Sequence, residues 1–292
     1  TQIALPTFHA VHKPHSSTTN TYVSLTGTPD KSTVFNNIDR TFFYRNNLVS
    51  GIWNGPSDKI ISGQFGKDGY ENTKDTHITE YPGNNQNNMG GNIENECCEY
   101  NPANVDGKSV LIWFDVSSIP KGAILGEATL ELYMTKNRNG GNKKKVAAHR
   151  LLKDWAEGAG KGIDGFAANV DEVCGKWTGK GEKWAKVGAE EPGSDFEKEA
   201  DDTIEIEDKL NEWYPWNITK MCQYWVNNSD KNFGAILLEP RPHAKTTGTK
   251  VFASKENPDK KIFPKLTVLV TALPVDSSDK LAISWGAIKL GF

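Results

Sequence analysis

What the chain lacks narrows its possible roles first. No apolar run approaches the roughly 18 residues that a bilayer-spanning helix needs, so no helical membrane span is expected. Strong charge of one sign is missing: 34 Lys and Arg stand against 37 Asp and Glu, a net charge of −3. No basic field therefore points to nucleic acid as a partner. Cysteine is scarce, with four residues and no C-x-x-C pair, which argues against zinc-ribbon and thioredoxin-like sites. G-x-S-x-G, H-E-x-x-H and P-loop signatures are absent. "GKGIDG" at 160–165 matches G-x-G-x-x-G on paper. No strand pattern feeds it and no parallel β-α-β pattern surrounds it, so it is not read as a phosphate cradle.

What is present suggests a β-protein with long loops. Aromatics make up 10% of the chain, with nine Trp, and Gly and Asn are plentiful. At 292 residues the chain suffices for one large all-β domain or two small ones, with a core that needs no disulfides. The sequence begins at Thr1, read as a mature form without its signal peptide. Adjacent cysteines seldom bond to each other, so Cys97 and Cys98 are expected to reach out to Cys174 and Cys222. The competing expectation keeps Cys222 as a reduced core thiol. An even cysteine count fits an oxidising compartment.

Strand periodicity begins clearly at 109–115, "SVLIWFD". Val110, Ile112 and Phe114 share one face; Leu111, Trp113 and Asp115 share the other. Both faces look covered, as in a central strand between two layers. "EATLELYMT" at 127–135 alternates like a half-exposed antiparallel strand. "NRNGGNKKK" supplies turn chemistry before "VAAHRLL", and its Lys143–Lys145 run reads as a solvated hairpin tip. "TIEIE", "NFGAILLE", "KVFAS" and "KLTVLVTAL" read as further strands. One helix is expected in "WNITKMCQYWVNN", where Ile218, Met221, Cys222 and Trp225 form an apolar stripe. Residues 156–200 read as polar loop. Short strands, turns and a single helix predict an all-β, antiparallel β-sandwich of jelly-roll type.

The predicted boundaries are an N-terminal extension at 1–74, a sandwich at 75–272 and a tail at 273–292. The extension has one strand-like piece, "TYVSLTG", and the tail ends in apolar "LAISWGAIKLGF". His9, His12 and His15 lie three apart, which puts neighbours on opposite faces of an extended segment, so no metal is assigned to them. Glu190–Glu191 and Asp201–Asp202 are sequence neighbours in polar loops and read as loop charge rather than a catalytic pair. Asp115, before "SSIPKG", reads as an acid that ties off its strand by accepting turn N–H groups.

Six segments, in order, resemble the DNRLRE-domain family. They are "DTHI" at 75–78, "SVLIWFDVSSIPKGAILGEATLELYM" at 109–134, "KDWAEGA" at 153–159, "KWAKVGAEEPGSDF" at 183–196, "WYPWNITKMCQYWVNNSDKNFGAILLEP" at 213–240, and "VFASKE" with "PKLTVLV" toward the end. The similarity spans roughly residues 75–271. The chain departs from the family pattern with Asn217 in place of an Asp, with Cys97 and Cys98, with an insertion over 156–182 and with its long front segment. The resemblance implies a secreted or surface-displayed jelly-roll domain without catalytic activity. Some such domains bind carbohydrate.

Two functions follow as expectations. The first is a non-catalytic extracellular or cell-surface structural protein whose strand-like ends pair with copies of itself into a filament, sheath or matrix. The second is a carbohydrate-binding module for an extracellular polysaccharide, with Trp53, Trp177, Trp184, Trp213 and Tyr214 as candidate stacking residues. No cofactor is required. Calcium is compatible with both functions, with Asp75, Asn88 and Asp195 as candidate oxygen ligands. Sequons occur at Asn217 and Asn227.

Overall fold

The computed structural model describes residues 72–98, 107–138, 142–162, 168–242 and 247–274. It also describes the backbone of three further strands at Ala10–Val11, Tyr22–Val23 and Lys59–Gln64. The chain divides into two units, Thr1–Asn54 and Gly55–Phe292. In the first, β1 (Ala10–Val11) and β2 (Tyr22–Val23) form a short antiparallel ladder. His9, His12, His15, Trp53 and the apolar C-terminal tail lie outside the described residues.

The second unit is an all-β sandwich of two antiparallel sheets with one α-helix. The first sheet contains β4 (Thr73–Thr79), β6 (Lys108–Phe114), β11 (Ala235–Leu238), β8 (Lys144–Arg150) and β9 (Asp202–Ile206), in that spatial order. The second is organised on one long strand, β7 (Ile124–Arg138). β10 (Glu212–Asn217) pairs along one side of it. β13 (Lys265–Ala272) and then β12 (Thr249–Ala253) occupy the other side, end to end. β3 (Lys59–Gln64) flanks β13, and β5 (Glu94–Cys97) flanks β12. Thus β3 belongs to the sandwich although it lies within the segment read as an N-terminal extension.

The two-residue period places the core. Val110, Ile112 and Phe114 of β6 meet Leu130, Leu132 and Met134 of β7 in one buried cluster between the sheets. The alternate residues of β6 and β11, Leu111 and Ile236, point away from that cluster. They form a second core with Trp155, Val173, Trp184 and Phe196. The Gly- and Lys-rich loop region therefore covers the outer face of the first sheet with apolar side chains instead of remaining solvated. This explains why β6 is apolar on both faces.

The helix α1 (Thr219–Asn227) starts later than its pattern predicts, because Trp216 and Asn217 belong to β10. Asn217 Oδ1 accepts the Thr219 N–H at 3.1 Å and its hydroxyl at 2.7 Å, which turns the chain from strand into helix. Met221, Cys222, Trp225 and Val226 enter the main core. Asp115 likewise ties a turn: Oδ1 accepts the Ser117 N–H at 2.8 Å and Oδ2 accepts from the Asn72 amide at 3.1 Å.

Two expectations are corrected. The four cysteines are free, buried thiols, and no disulfide joins Cys97 or Cys98 to Cys174 or Cys222. Cys97 and Cys98 turn into the sandwich with Cys222, while Cys174 sits in the loop layer, where its carbonyl accepts the Trp184 indole N–H at 2.9 Å. Lys144 is no part of a solvated tip. It alternates inward with Val146 and Ala148 and pairs with Glu239, while Lys143 stays outside with Glu205 and Glu207.

Candidate acidic clasp at the sandwich edge

β4 and β5 are edge strands of opposite sheets. Asp75 stands opposite Ile112 on β6, and Asn95 stands opposite Phe252 on β12. Since Ile112 and Phe252 both line the main core, Asp75 and Asn95 point between the sheets. The two residues are 0% and 1% exposed, and the Asn95 amide donates to Asp75 Oδ1 at 3.0 Å. This polar contact closes the side of the sandwich where an apolar layer would otherwise end.

Two further acids come from connecting segments. Glu157 follows β8, and Glu256 follows β12. Glu157 Oε1 accepts the Asp75 backbone N–H at 2.6 Å. Asp75 Oδ2 accepts the Lys255 backbone N–H at 2.9 Å. Lys255 Nζ lies 3.0 Å from Glu157 Oε2 and also bonds Glu256 Oε1. Asp75, Glu157 and Glu256 each offer a carboxylate oxygen within 4.8 Å of the others.

Burial sets the electrostatics. It pushes the Asp75 carboxyl up to about 8, aided by Glu256 and Glu157 and opposed by the hydrogen bonds from Asn95 and Lys255. It also raises Glu157 to about 7, against the pull of Lys255. On the same strand face, burial lowers His77 to about 4. Two buried oxygens of this group make no well-formed hydrogen bond among the described residues: Asn95 Oδ1, which has the His77 ring as a neighbour, and Glu256 Oε2.

Asn88 positions the Glu157 loop. Its amide donates to the Glu157 carbonyl at 2.5 Å and to the Val173 carbonyl at 2.7 Å. Its Oδ1 accepts the N–H groups of Gly90 at 3.1 Å and Gly160 at 2.6 Å. Gly158, next to Glu157, has φ +76°, and a Cβ there would lie 2.7 Å from the Asn88 amide. Asn88 thus holds the cluster from behind.

The other sequence candidates disperse. Asp195 is 0% exposed and accepts three backbone N–H groups: from Ala185 at 2.7 Å, and from Lys186 and Glu191 at 3.1 Å each. It ties the loop over the outer core, apart from the clasp. Trp184 is buried there too. Tyr214 points into the main core, its hydroxyl donating to the Lys209 carbonyl at 3.1 Å. Trp177 is exposed, with Lys183 Nζ 4.9 Å from its ring centre. Trp213 lies on the outer face of the second sheet, edge-on to Tyr133 at 5.2 Å, with Lys265 Nζ 4.0 Å over its ring. Elsewhere an open depression of about 460 Å³ is lined by Gly126, Asp201, Asp202, Asn217, Thr219 and Lys220. Its acids are occupied with backbone, Asp201 receiving the Met221 N–H and Asp202 the Asn217 N–H.

Sequence reasoning singled out Asp75 but not Glu157, Glu256, Asn95 or Lys255. The available signal was that Asp75, Glu157 and Glu256 each fall inside a segment bearing the family resemblance: "DTHI", "KDWAEGA" and "VFASKE". No protein-family model matches the chain, and no curated protein matches it.

Proposed function

We propose that this chain is a non-catalytic structural subunit of an extracellular or cell-surface assembly, joined to copies of itself through strand pairing by its terminal segments. One observation carries the reading. β3 and β13 are antiparallel neighbours, with Lys59 opposite Val270. The segment preceding β3 and the segment following β13 therefore leave the sandwich at the same end of one ladder. Among the described residues β3 pairs only with β13, so it is an edge strand of the described sheet. An edge with free N–H and C=O groups favours strand addition. The perturbed acids give a substrate little to meet, because Asp75 has no exposed surface. The surface location rests on the DNRLRE-like motifs alone, since free thiols remove the argument from cysteine pairing. The test is the mass of the 292-residue chain by light scattering over a concentration series, with electron microscopy of the same samples. Growth into regular fibres or sheets is the expected result. Dispersed monomers throughout would refute the proposal.

The Trp213–Tyr133 pair favours a second reading, polysaccharide binding on the outer face of the second sheet, since aromatic faces stack on sugar C–H groups. Changes in Trp fluorescence on adding neutral and acidic polysaccharides, lost in Trp213→Ala, would support it. An unchanged spectrum across such a panel would remove it.

A further inference from the structure

We propose that Asp75, Glu157 and Glu256, together with Asn95, form a binding site for a divalent cation of the calcium type, which staples the open edges of the two sheets. The inference goes beyond the assembly reading and does not rest on it. Four observations converge. First, the three carboxylates offer oxygens within 4.8 Å of one another. Two ligands of one calcium ion, each at about 2.4 Å, can be separated by at most about twice that distance. Second, the charges lean negative: three carboxylates face the ammonium of Lys255, and Lys74, which also acts on Glu157, lies 3.9 Å from a fourth acid, Asp154, at a place where Asp75 has no contact with solvent. Buried like charges at this spacing call for another positive charge or a proton.

Third, two oxygens are left over. Asn95 is 1% exposed, its side chain lies between Asp75 and the His77 ring, and its Oδ1 makes no well-formed hydrogen bond among the described residues. Glu256 Oε2 is buried and equally without one. Unpaired buried acceptors are unfavourable, and a cation would satisfy Glu256 Oε2 outright, while Asn95 Oδ1 has the His77 ring as an alternative neighbour. Fourth, the donors are carboxylate and amide oxygens, the hard set that calcium takes. The frame is also fixed in advance. The Asp75 N–H holds Glu157, the Lys255 N–H holds Asp75, and Asn88 holds the Glu157 loop. The ligands come from β4, β5 and two connecting segments, so an ion among them ties the two sheets together.

The experiment uses the intact chain, stripped with a chelator, titrated calorimetrically with calcium chloride and melted with and without it. Binding with Kd below about 1 mM is expected, with a rise in Tm of a few degrees at about 5 mM calcium. Magnesium, which demands tighter octahedral geometry, should bind at least about tenfold more weakly. Glu256→Gln should weaken calcium binding by about tenfold or more while leaving the chelator-treated fold intact by circular dichroism. Lys255→Met should tighten calcium binding by removing the competing ammonium, an effect that a purely structural ion-pair cluster would not produce. Absence of both heat and Tm shift at about 10 mM calcium in the folded native chain would overturn the proposal. So would Asp75→Asn and Glu256→Gln chains that bind as tightly as the native one. Light scattering on the same samples reports assembly separately, so failure of one proposal is distinguishable from failure of the other.

Discussion

Lys144 and Glu239 form an ion pair inside the sandwich, Nζ 3.2 Å from Oε1 and 3.4 Å from Oε2, with side chains 0% and 3% exposed. Lys144 begins β8, and Glu239 follows directly on β11, the neighbouring strand. Removing one partner leaves the other charge buried. Glu239→Gln is expected to destabilise the fold by about 3 kcal/mol, within the range for broken buried pairs. The double variant Lys144→Met, Glu239→Leu should recover much of that loss. Chemical denaturation of the two variants checks the prediction. An effect below about 1 kcal/mol for Glu239→Gln would mean that the pair is hydrated in solution.

Asp201 supplies a cap that α1 does not provide for itself. The residue at the N-cap position is Ile218, which has no side-chain cap, and Asp201 Oδ2 accepts the Met221 N–H at 2.7 Å. The cap comes from before β9, so it links the helix to the first sheet as well as satisfying an otherwise orphaned donor. Asp201→Ala should lower stability by about 1–2 kcal/mol, and Asp201→Asn by less because its amide oxygen still accepts. Equal losses for both variants would show that the negative charge, not the hydrogen bond, matters.

The elements that the sequence revealed were those whose period matched their burial. β6, β7, β9, β11, β12, β13 and the apolar stripe of α1 all fall where alternation or helical spacing predicted them. Asp115 was legible for a local reason, since an acid two residues before its N–H partner is a short-range arrangement. Lys144 was misread because a run of three lysines hides the alternation that turns the middle one inward. The described residues within 156–200 are loop as expected, but their role as a layer over the first sheet was not legible, because its apolar residues, Trp155, Val173, Trp184 and Phe196, are spaced without period and meet only after folding. The clasp could be read in part. Glu157 and Glu256 are 99 residues apart and come together only because β4 and β5 close the same side of the sandwich. Composition carries no trace of that register.

The thiols offer a direct check on how this chain is held together. Cys97, Cys98, Cys174 and Cys222 are all buried and free. Burial raises the thiols of Cys98 and Cys174, and pushes Cys222 up to about 12 with help from Asp201. Protonated, inaccessible thiols react slowly. A disulfide-exchange reagent should therefore label none in the native chain within minutes and all four after denaturation without reductant. Fewer than four in the denatured sample would reveal a disulfide and restore the pairing expected from the sequence.

His149 is expected to make the fold sensitive to mild acid. Its ring sits against Phe196, centroids 4.8 Å apart, with Nδ1 2.9 Å from the Glu197 carbonyl oxygen. A neutral ring with its proton on Nδ1 donates to that carbonyl. Burial lowers the His149 pKa from its ordinary 6.5, and the Glu197 and Glu199 carbonyls with the charges of Asp201 and Glu199 oppose the shift without reversing it. The unfolded chain therefore binds the proton first as pH falls. Between the ordinary value and the lower folded one, the unfolded state holds more protons, so stability rises with pH and is lost on acidification. His77, lowered to about 4 by burial, pulls in the same direction, so the His149 share must be read by difference. The ring proton resonances of His149 should titrate with a midpoint below 6.5, and His149→Asn should show a shallower loss of unfolding free energy between about pH 6.5 and 5 than the native chain. A midpoint above 6.5 would mean that the neighbouring acids outweigh burial. The sign would then reverse, with the charged ring stabilising the fold at low pH and that contribution fading as pH rises.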